Sequence, residues 1–216
     1  MKKLFILCMG MMMLTTNVSA EDNETRKTHN LVIGVVPALG RATTSIKFDA
    51  NDAPPKDKFT YNKEFGVVVD YERVLNGFIV MPELRWFRGT LSNEERTVYE
   101  GYYVFPYEGK VEDINEFGFM EWVGFTINAK KRFQAPIMGG IGMSYVTGAP
   151  FHNVFFDYGV KARMKYYIAP KFGIFIGGFY EGGIGSSKRG IPEDYDARYR
   201  LRKTNLGGEA GITITL

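Results

Sequence analysis

From about residue 30 onward the chain alternates apolar and polar side chains with a period of two, as a strand does when one face meets an apolar phase and the other a polar one. Eight stretches carry the pattern, at residues 31–40, 62–74, 78–88, 116–127, 132–146, 154–167, 171–182 and 199–216. The sixth is the plainest. Phe156, Tyr158, Val160, Ala162, Met164 and Tyr166 fall on one face, and Asp157, Gly159, Lys161, Arg163 and Lys165 on the other. In the second, Phe65, Val67, Val69 and Tyr71 stand opposite Asp70 and Glu72; in the third, Val80, Pro82, Leu84 and Trp86 stand opposite Glu83 and Arg85. Pro82 is a local cost, because proline cannot donate to a ladder. The fourth breaks the rule: Phe117, Phe119, Val123 and Phe125 share parity with Glu121, while Met120 and Trp122 oppose it. Either a bulge or an interior partly filled by aromatic side chains accounts for this.

The connections alternate in length. Gaps at 41–61, 89–115 and 183–198 are long and 147–153 is moderate, whereas Leu75-Asn76-Gly77, residues 128–131 and Ile168-Ala169-Pro170 are tight. Short turns on one side, longer loops on the other and both ends together predict an all-β fold: a single up-and-down antiparallel transmembrane barrel of about eight strands. The alternative assignment of faces, apolar in and charged out, describes a soluble secreted ligand-binding barrel. Three features favour the membrane form. Charges with candidate partners crowd one face near mid-strand, at Asp70, Glu72, Glu83, Arg85, Glu121, Asp157, Lys161, Arg163, Lys165, Glu181 and Glu209. Aromatic residues such as Trp86, Tyr145, Tyr166 and Tyr180 concentrate near segment ends, as interface girdles do. No amphipathic helix is available to close a soluble barrel's mouth. The charged face is therefore expected to form a paired network plugging the narrow lumen.

The first twenty residues change the picture of the chain's destination. Lys2 and Lys3, the apolar run Leu4–Leu14 and Val18-Ser19-Ala20 before Glu21 read as a cleaved secretory signal peptide, residues 1–20. Residues 21–30 then form a periplasmic segment and 31–216 the barrel domain. Cys8 lies inside the apolar run without the small residues a lipoprotein would place before it, so cleavage leaves neither thiol nor disulfide. Loss of two lysines lowers the formal net charge of +3 to near neutrality, which argues against a nucleic-acid partner.

Several stretches resemble those of a known group: Phe78-Ile-Val-Met-Pro-Glu-Leu-Arg-Trp86 after a tight turn, Pro136-Ile-Met-Gly-Gly-Ile-Gly142, Asp157-Tyr-Gly159, and the closing Leu206-Gly-Gly-Glu-Ala-Gly-Ile-Thr-Ile-Thr-Leu216. With the strand pattern over residues 31–216, the chain resembles the small outer-membrane β-barrel proteins of the OmpA-transmembrane, OmpX and OmpW types, above all those of Bacteroidetes. It departs from them in carrying Leu216 where such barrels end on an aromatic residue. The resemblance implies residence in the outer membrane of a Gram-negative cell. It also implies contact with outer-membrane lipids including lipopolysaccharide and with the assembly machinery, as a monomer without cofactor.

Candidate chemistry is sparse. His29 precedes the first strand and His152 lies in the loop after the fifth; Ser144 is eight residues from His152, and no supporting acid completes a hydrolase. A solvated loop histidine is the plainer reading. Asp49, Asn51, Asp52 and Asp57 lack the spacing of a calcium loop, and Gly182-Gly-Ile-Gly-Ser-Ser-Lys-Arg-Gly190 lacks the ending of a phosphate loop. No enzyme, metal or cofactor is expected. The second long loop is richer: Tyr99, Tyr102, Tyr103, Phe105 and Tyr107 form an aromatic cluster suited to recognition. Alternatively, residues 97–105 and 109–115 extend the strands above the bilayer. The leading expectation is a non-enzymatic barrel acting through its extracellular loops, in surface interaction or envelope integrity. Its rival is a narrow porin, or a barrel with a lateral opening for hydrophobic solutes as in the OmpW type.

Overall fold

In the computed structural model the described residues are 28–37, 41–48, 57–95, 98–99, 102–103, 110–127, 132–148, 151–187 and 199–216. The signal segment, most of the N-terminal segment and residues 128–131 lie outside them. The strands are β1 (Thr28–Pro37), β2 (Arg41–Phe48), β3 (Asp57–Leu75), β4 (Phe78–Glu95), β5 (Val98–Tyr99) and β6 (Tyr102–Tyr103). They continue with β7 (Lys110–Ile127), β8 (Phe133–Gly148), β9 (Phe151–Ala169), β10 (Phe172–Ser187) and β11 (Tyr199–Thr215). Every pairing is antiparallel. The main sheet runs β1-β11-β10-β9-β8-β7-β4-β3-β2 and closes through β1–β3 and β11–β2. Since β1 and β2 share both neighbours, they are two halves of one barrel strand, and the sheet is a closed eight-stranded meander. Pairing with β11 runs to Val35↔Ala210 and resumes at Ala42↔Asn205, so the first strand carries extra residues across its junction. Such an insertion bends a strand without breaking closure.

The tight turns and both described ends gather at one rim. Asn76 and Gly77 both take positive φ, 52° and 86°, the conformation of a two-residue hairpin turn whose twist matches its strands. Thr126 N donates to Gly77 O at 2.7 Å, Thr215 N to Lys171 O at 2.9 Å, and Leu216 N to His29 O at 2.9 Å, which ties hairpin to hairpin and end to beginning. At the other rim the strands run further than the hydrophobic pattern suggested: β3 starts at Asp57, β4 reaches Glu95 and β7 starts at Lys110. The moderate connection at 147–153 is mostly strand, with only residues 149–150 between β8 and β9. Ladder hydrogen bonds continue beyond the bilayer, where alternation is no longer required. Val98–Tyr99 and Tyr102–Tyr103 do not extend the barrel strands but pair with each other as a separate two-stranded sheet, β5–β6.

The two surfaces settle which face points inward. Val160 is 58% exposed and Leu206 62%, while Asp70, Glu72 and Asp157 are fully buried. An apolar outside over a charged inside belongs to a transmembrane barrel, and it rules out the soluble arrangement. Outward aromatic residues form two belts. Tyr71, Phe78, Phe125, Phe133 and Tyr166 lie toward the turn rim, and Phe65, Phe117, Tyr145, Phe156 and Tyr180 toward the loop rim. Phe78 and Phe125 meet edge-on at 5.4 Å, as do Phe65 and Trp86 at 6.3 Å.

The irregular fourth segment carries no bulge between Asn115 and Ile127; its ladder with β8 is continuous. Met120 and Trp122 point inward and are fully buried, so an aromatic does fill the lumen there. Glu121, expected among the lumen charges, instead stands on the outer wall, half-exposed and paired in register with Pro82 and Ile141. The continuous register decides this: once Met120 pairs with inward Glu83, residue 121 must face the lipid.

Candidate functional site

The lumen holds three tiers of buried charge. Nearest the turn rim, Lys165 pairs with Glu72, which also accepts from Asn30 Nδ2 at 2.8 Å. In the middle, Arg163 meets Asp70 at 2.6 Å, Glu83 at 3.7 Å and Glu209, while Lys161 meets Glu83 and, at 3.3 Å, Glu209. Toward the loop rim, Arg85 contacts Glu181 at 2.5 Å, Asp157 at 2.8 Å and Glu116 at 3.6 Å. Lys203 joins this tier through Glu116 at 2.7 Å and Asp157 at 3.0 Å. All these side chains are at most 2% exposed, so each charge depends on its partners rather than on water.

Aromatic rings fill the space between the tiers. Lys161 Nζ lies 4.7 Å from the Trp122 ring, the Arg163 guanidinium 4.7 Å from Phe175, Lys203 Nζ 5.2 Å from Phe155, and the Arg85 guanidinium 5.7 Å from Phe87. Each pair combines packing with attraction between cation and ring face. Glycines make room for the rings. A Cβ on Gly140 would come within 2.3 Å of Trp122, and one on Gly66 within 2.1 Å of Phe87. The glycine-rich run at 136–142 thus includes space for an interior aromatic.

Ten of the eleven expected charged residues, Asp70, Glu72, Glu83, Arg85, Asp157, Lys161, Arg163, Lys165, Glu181 and Glu209, converge in this interior; Glu121 does not. Glu116 and Lys203 complete the network and were missed. Glu116 shares the parity of Met120 and Trp122, and Lys203 that of Asn205 and Glu209, so both could have been read from register. Among the described residues the lumen then holds seven carboxyl groups, adding Glu116 to the six acids above, and five cations, adding Lys203 to the four above.

Catalytic arrangements find little footing. His29 Nδ1 shares a 2.6 Å hydrogen bond with the Tyr71 hydroxyl at the turn rim. The backbone of His152 pairs with Thr147, but its side chain lies outside the described residues. Lys203 Nζ donates to Ser144 Oγ at 2.6 Å, which has the composition of a serine–lysine dyad. Yet the ammonium also holds Glu116 and Asp157, and Ser144 is 2% exposed, so this pair has neither a free base nor access for substrate. Asp49, Asn51 and Asp52 lie outside the described residues, as do Phe105, Tyr107 and the side chains of Tyr99, Tyr102 and Tyr103. Among the described residues no group of three or more His, Cys, Asp or Glu is arranged to hold a metal.

The ladders skip two residue pairs at each of two prolines, at Pro136 between β8 and β9 and at Pro82 between β3 and β4. The β3–β4 ladder pairs Asp70 with Glu83 and then Arg73 with Val80 in the same register, leaving Tyr71 and Glu72 unpaired to Met81 and Pro82. Pro82 supplies no N–H there. Over this break lies a cavity of about 570 Å³ bordered by β1, β3, β4 and β7, with His29, Tyr71 and Arg73 at one end and Val69, Leu84 and Phe119 at the other.

No family model and no curated protein matches the chain. Solved structures do. The outer membrane protein OprG from Pseudomonas aeruginosa is 11% identical, with 86% of this chain and 94% of that one covered and a TM-score of 0.53. The outer membrane protein AlkL, determined in DMPC lipid bilayers, is 9% identical, with 92% and 94% covered and a TM-score of 0.52. At such identity the likeness is one of fold: this chain has the fold of the small outer-membrane β-barrels.

Proposed function

We propose that the protein resides in the outer membrane as a closed, non-enzymatic barrel whose work is done by the segments beyond the bilayer, in surface interaction or envelope integrity. The observation that carries this reading is the filled lumen. An eight-stranded barrel has little free bore, and here that bore is occupied by three charge tiers and the rings between them. The turn rim then faces the periplasm and the loops face outward, where Tyr99, Tyr102, Tyr103, Phe105 and Tyr107 would supply contact area. Outer-membrane lipids, lipopolysaccharide and the assembly machinery are the partners this placement entails, with the barrel as a monomer. The test is complementation. A barrel lacking residues 97–110 that still shows heat-modifiable migration in the outer-membrane fraction should fail to restore whatever the gene's deletion removes. Full rescue sinks the loop reading.

The ladder break at Pro82 favours a second reading, a lateral route for hydrophobic solutes. Such a route requires space behind the break, and there the lumen is occupied by Asp70, Glu72, Met81 and Arg163. Faster entry of an apolar dye into vesicles carrying the purified barrel, or stable openings in a planar bilayer, would move the function to transport.

A further inference from the structure

Asn30 on β1 sits in register between Glu72 on β3 and Thr215 on β11, so its short side chain reaches both neighbours. Its amide Nδ2 donates to Glu72 Oε1 at 2.8 Å, and its carbonyl Oδ1 accepts from the Thr215 hydroxyl at 2.9 Å. The carboxylate fixes this orientation, because an ionised glutamate can only accept. The second oxygen of the same carboxylate, Oε2, accepts from Lys165 Nζ, which arrives from β9 across the lumen. A primary amine and a primary carboxamide thus meet on one base, with a hydrogen-bond donor on the carboxamide oxygen. Asn30, Glu72 and Lys165 are each at most 1% exposed. By contrast, the Asn205 amide rests on Glu181, whose cation is Arg85, and a guanidinium that keeps its proton is no nucleophile.

We infer that Lys165 and Asn30 join in an isopeptide bond, with Glu72 as the proton carrier and Thr215 as the oxyanion donor. Lys165 passes a proton to Glu72 Oε2, and the freed amine attacks Asn30 Cγ. The new C–N bond forms as the carbonyl π pair moves to Oδ1, where the Thr215 hydroxyl stabilises it. Glu72 then gives its proton to Nδ2 and takes one from the attacking nitrogen, the Cγ–Nδ2 bond breaks, and ammonia leaves. The sum is amine plus carboxamide giving secondary amide plus ammonia. No oxidant is needed, and Glu72 ends as a neutral acid. Holding both reactants on one base and excluding water supply what the same groups lack in solution. The product is a strut from β1 to β9, which are not neighbours in the sheet. No disulfide within the chain could serve instead, since Cys8 is its single cysteine.

The chain lacking residues 1–20, refolded from urea-solubilised inclusion bodies into lipid vesicles, starts unlinked, and mass spectrometry follows the bond. The intact mass should fall by one ammonia. Trypsin should release Thr28–Arg41 joined to Met164–Lys171 through Asn30 and Lys165, with cleavage after Lys165 lost. Glu72→Gln should abolish the joined peptide. Thr215→Val, which keeps all three reacting side chains should the first variant fail to assemble, should slow its appearance about a hundredfold, the cost of one oxyanion donor. A folded wild type at full mass overturns the proposal. So does a deficit of one water, which marks an amide between Lys165 and Glu72, or an ammonia deficit mapped to Asn76-Gly77, where a succinimide has closed instead. A joined peptide that forms at the wild-type rate in both variants would likewise remove Glu72 and Thr215 from the reaction.

Discussion

Arg163→Ala removes the guanidinium that links Asp70, Glu83 and Glu209 in the middle tier, and the structure allows its cost to be bounded. The side chain is fully buried, meets Asp70 at 2.6 Å and Glu209 through two nitrogens, and lies against Phe175 at 4.7 Å. Its loss leaves Asp70 without its ion pair and Glu209 with Lys161 alone. Breaking a buried pair from one side costs about 3–5 kcal/mol. Val160→Ala, three residues earlier on the outer face of the same strand, removes methyl groups from a side chain already 58% exposed, a loss of about 1 kcal/mol or less. Urea unfolding of the barrel refolded into lipid vesicles, followed by gel mobility without boiling, should place the two variants at least 2 kcal/mol apart. The triple variant Arg163→Met, Asp70→Asn, Glu209→Gln should recover much of the difference, because it leaves fewer uncompensated charges. Equal destabilisation by Arg163→Ala and Val160→Ala would refute the assignment of faces. A triple variant as unstable as the single one would refute the pairing.

Other substitutions probe positions where the fold departs from simple alternation. Glu121→Leu should leave stability unchanged or raise it, since the carboxylate faces lipid, whereas Glu83→Leu should lower it by about 3 kcal/mol or more; the opposite order in the same urea assay would return Glu121 to the lumen. Pro82→Ala restores a donor to the Tyr71 carbonyl, so the amide created at position 82 should exchange slowly, with a gain of about 1 kcal/mol for one ladder hydrogen bond; fast exchange at that amide would mean the break is not caused by proline. Gly140→Ala places a Cβ 2.3 Å from Trp122 and should cost about 1–3 kcal/mol, an effect that Trp122→Ala should suppress in a double-mutant cycle. Additive costs would separate the glycine from the ring.

Strand order, the turn at Asn76-Gly77 and the inward charges of β9 were legible because each depends on residues near in sequence. From Asp157 to Tyr166 in β9 the two faces differ in every pair of residues, so burial there follows from composition alone. In β7 they do not: Phe117, Phe119 and Phe125 face lipid while Trp122 and Met120 face the lumen, and hydrophobicity cannot tell one face from the other. There the inward face is set by pairing with Glu83 on β4 and Gly142 on β8, information that lies dozens of residues away. That is why Glu121 was assigned inward and Glu116 overlooked. The loop-side strand extensions were hidden for a different reason. Above the bilayer both faces meet water, so a ladder can continue through residues such as Ser92 and Lys110 without leaving an alternating trace.

The tiers also say what the buried charge is for. Replacing a buried pair by apolar groups is often neutral or stabilising, so the network is a poor source of net stability. Its value lies in excluding alternatives. The partners come from strands distant in the chain: Arg85 on β4 meets Glu181 on β10, Lys165 on β9 meets Glu72 on β3, and Lys203 on β11 meets Glu116 on β7. Such contacts cross the lumen, so they form only once the sheet has closed. A one-residue slip of any strand would turn its charges toward lipid and its Phe, Val and Tyr residues into the bore. A cation at the bilayer midplane on the lipid side costs about 2–4 kcal/mol, so a slipped β9, with Lys161, Arg163 and Lys165 all turned outward, is strongly disfavoured before any lost pairing is counted. The same charges that fill the bore therefore fix which barrel the chain closes into.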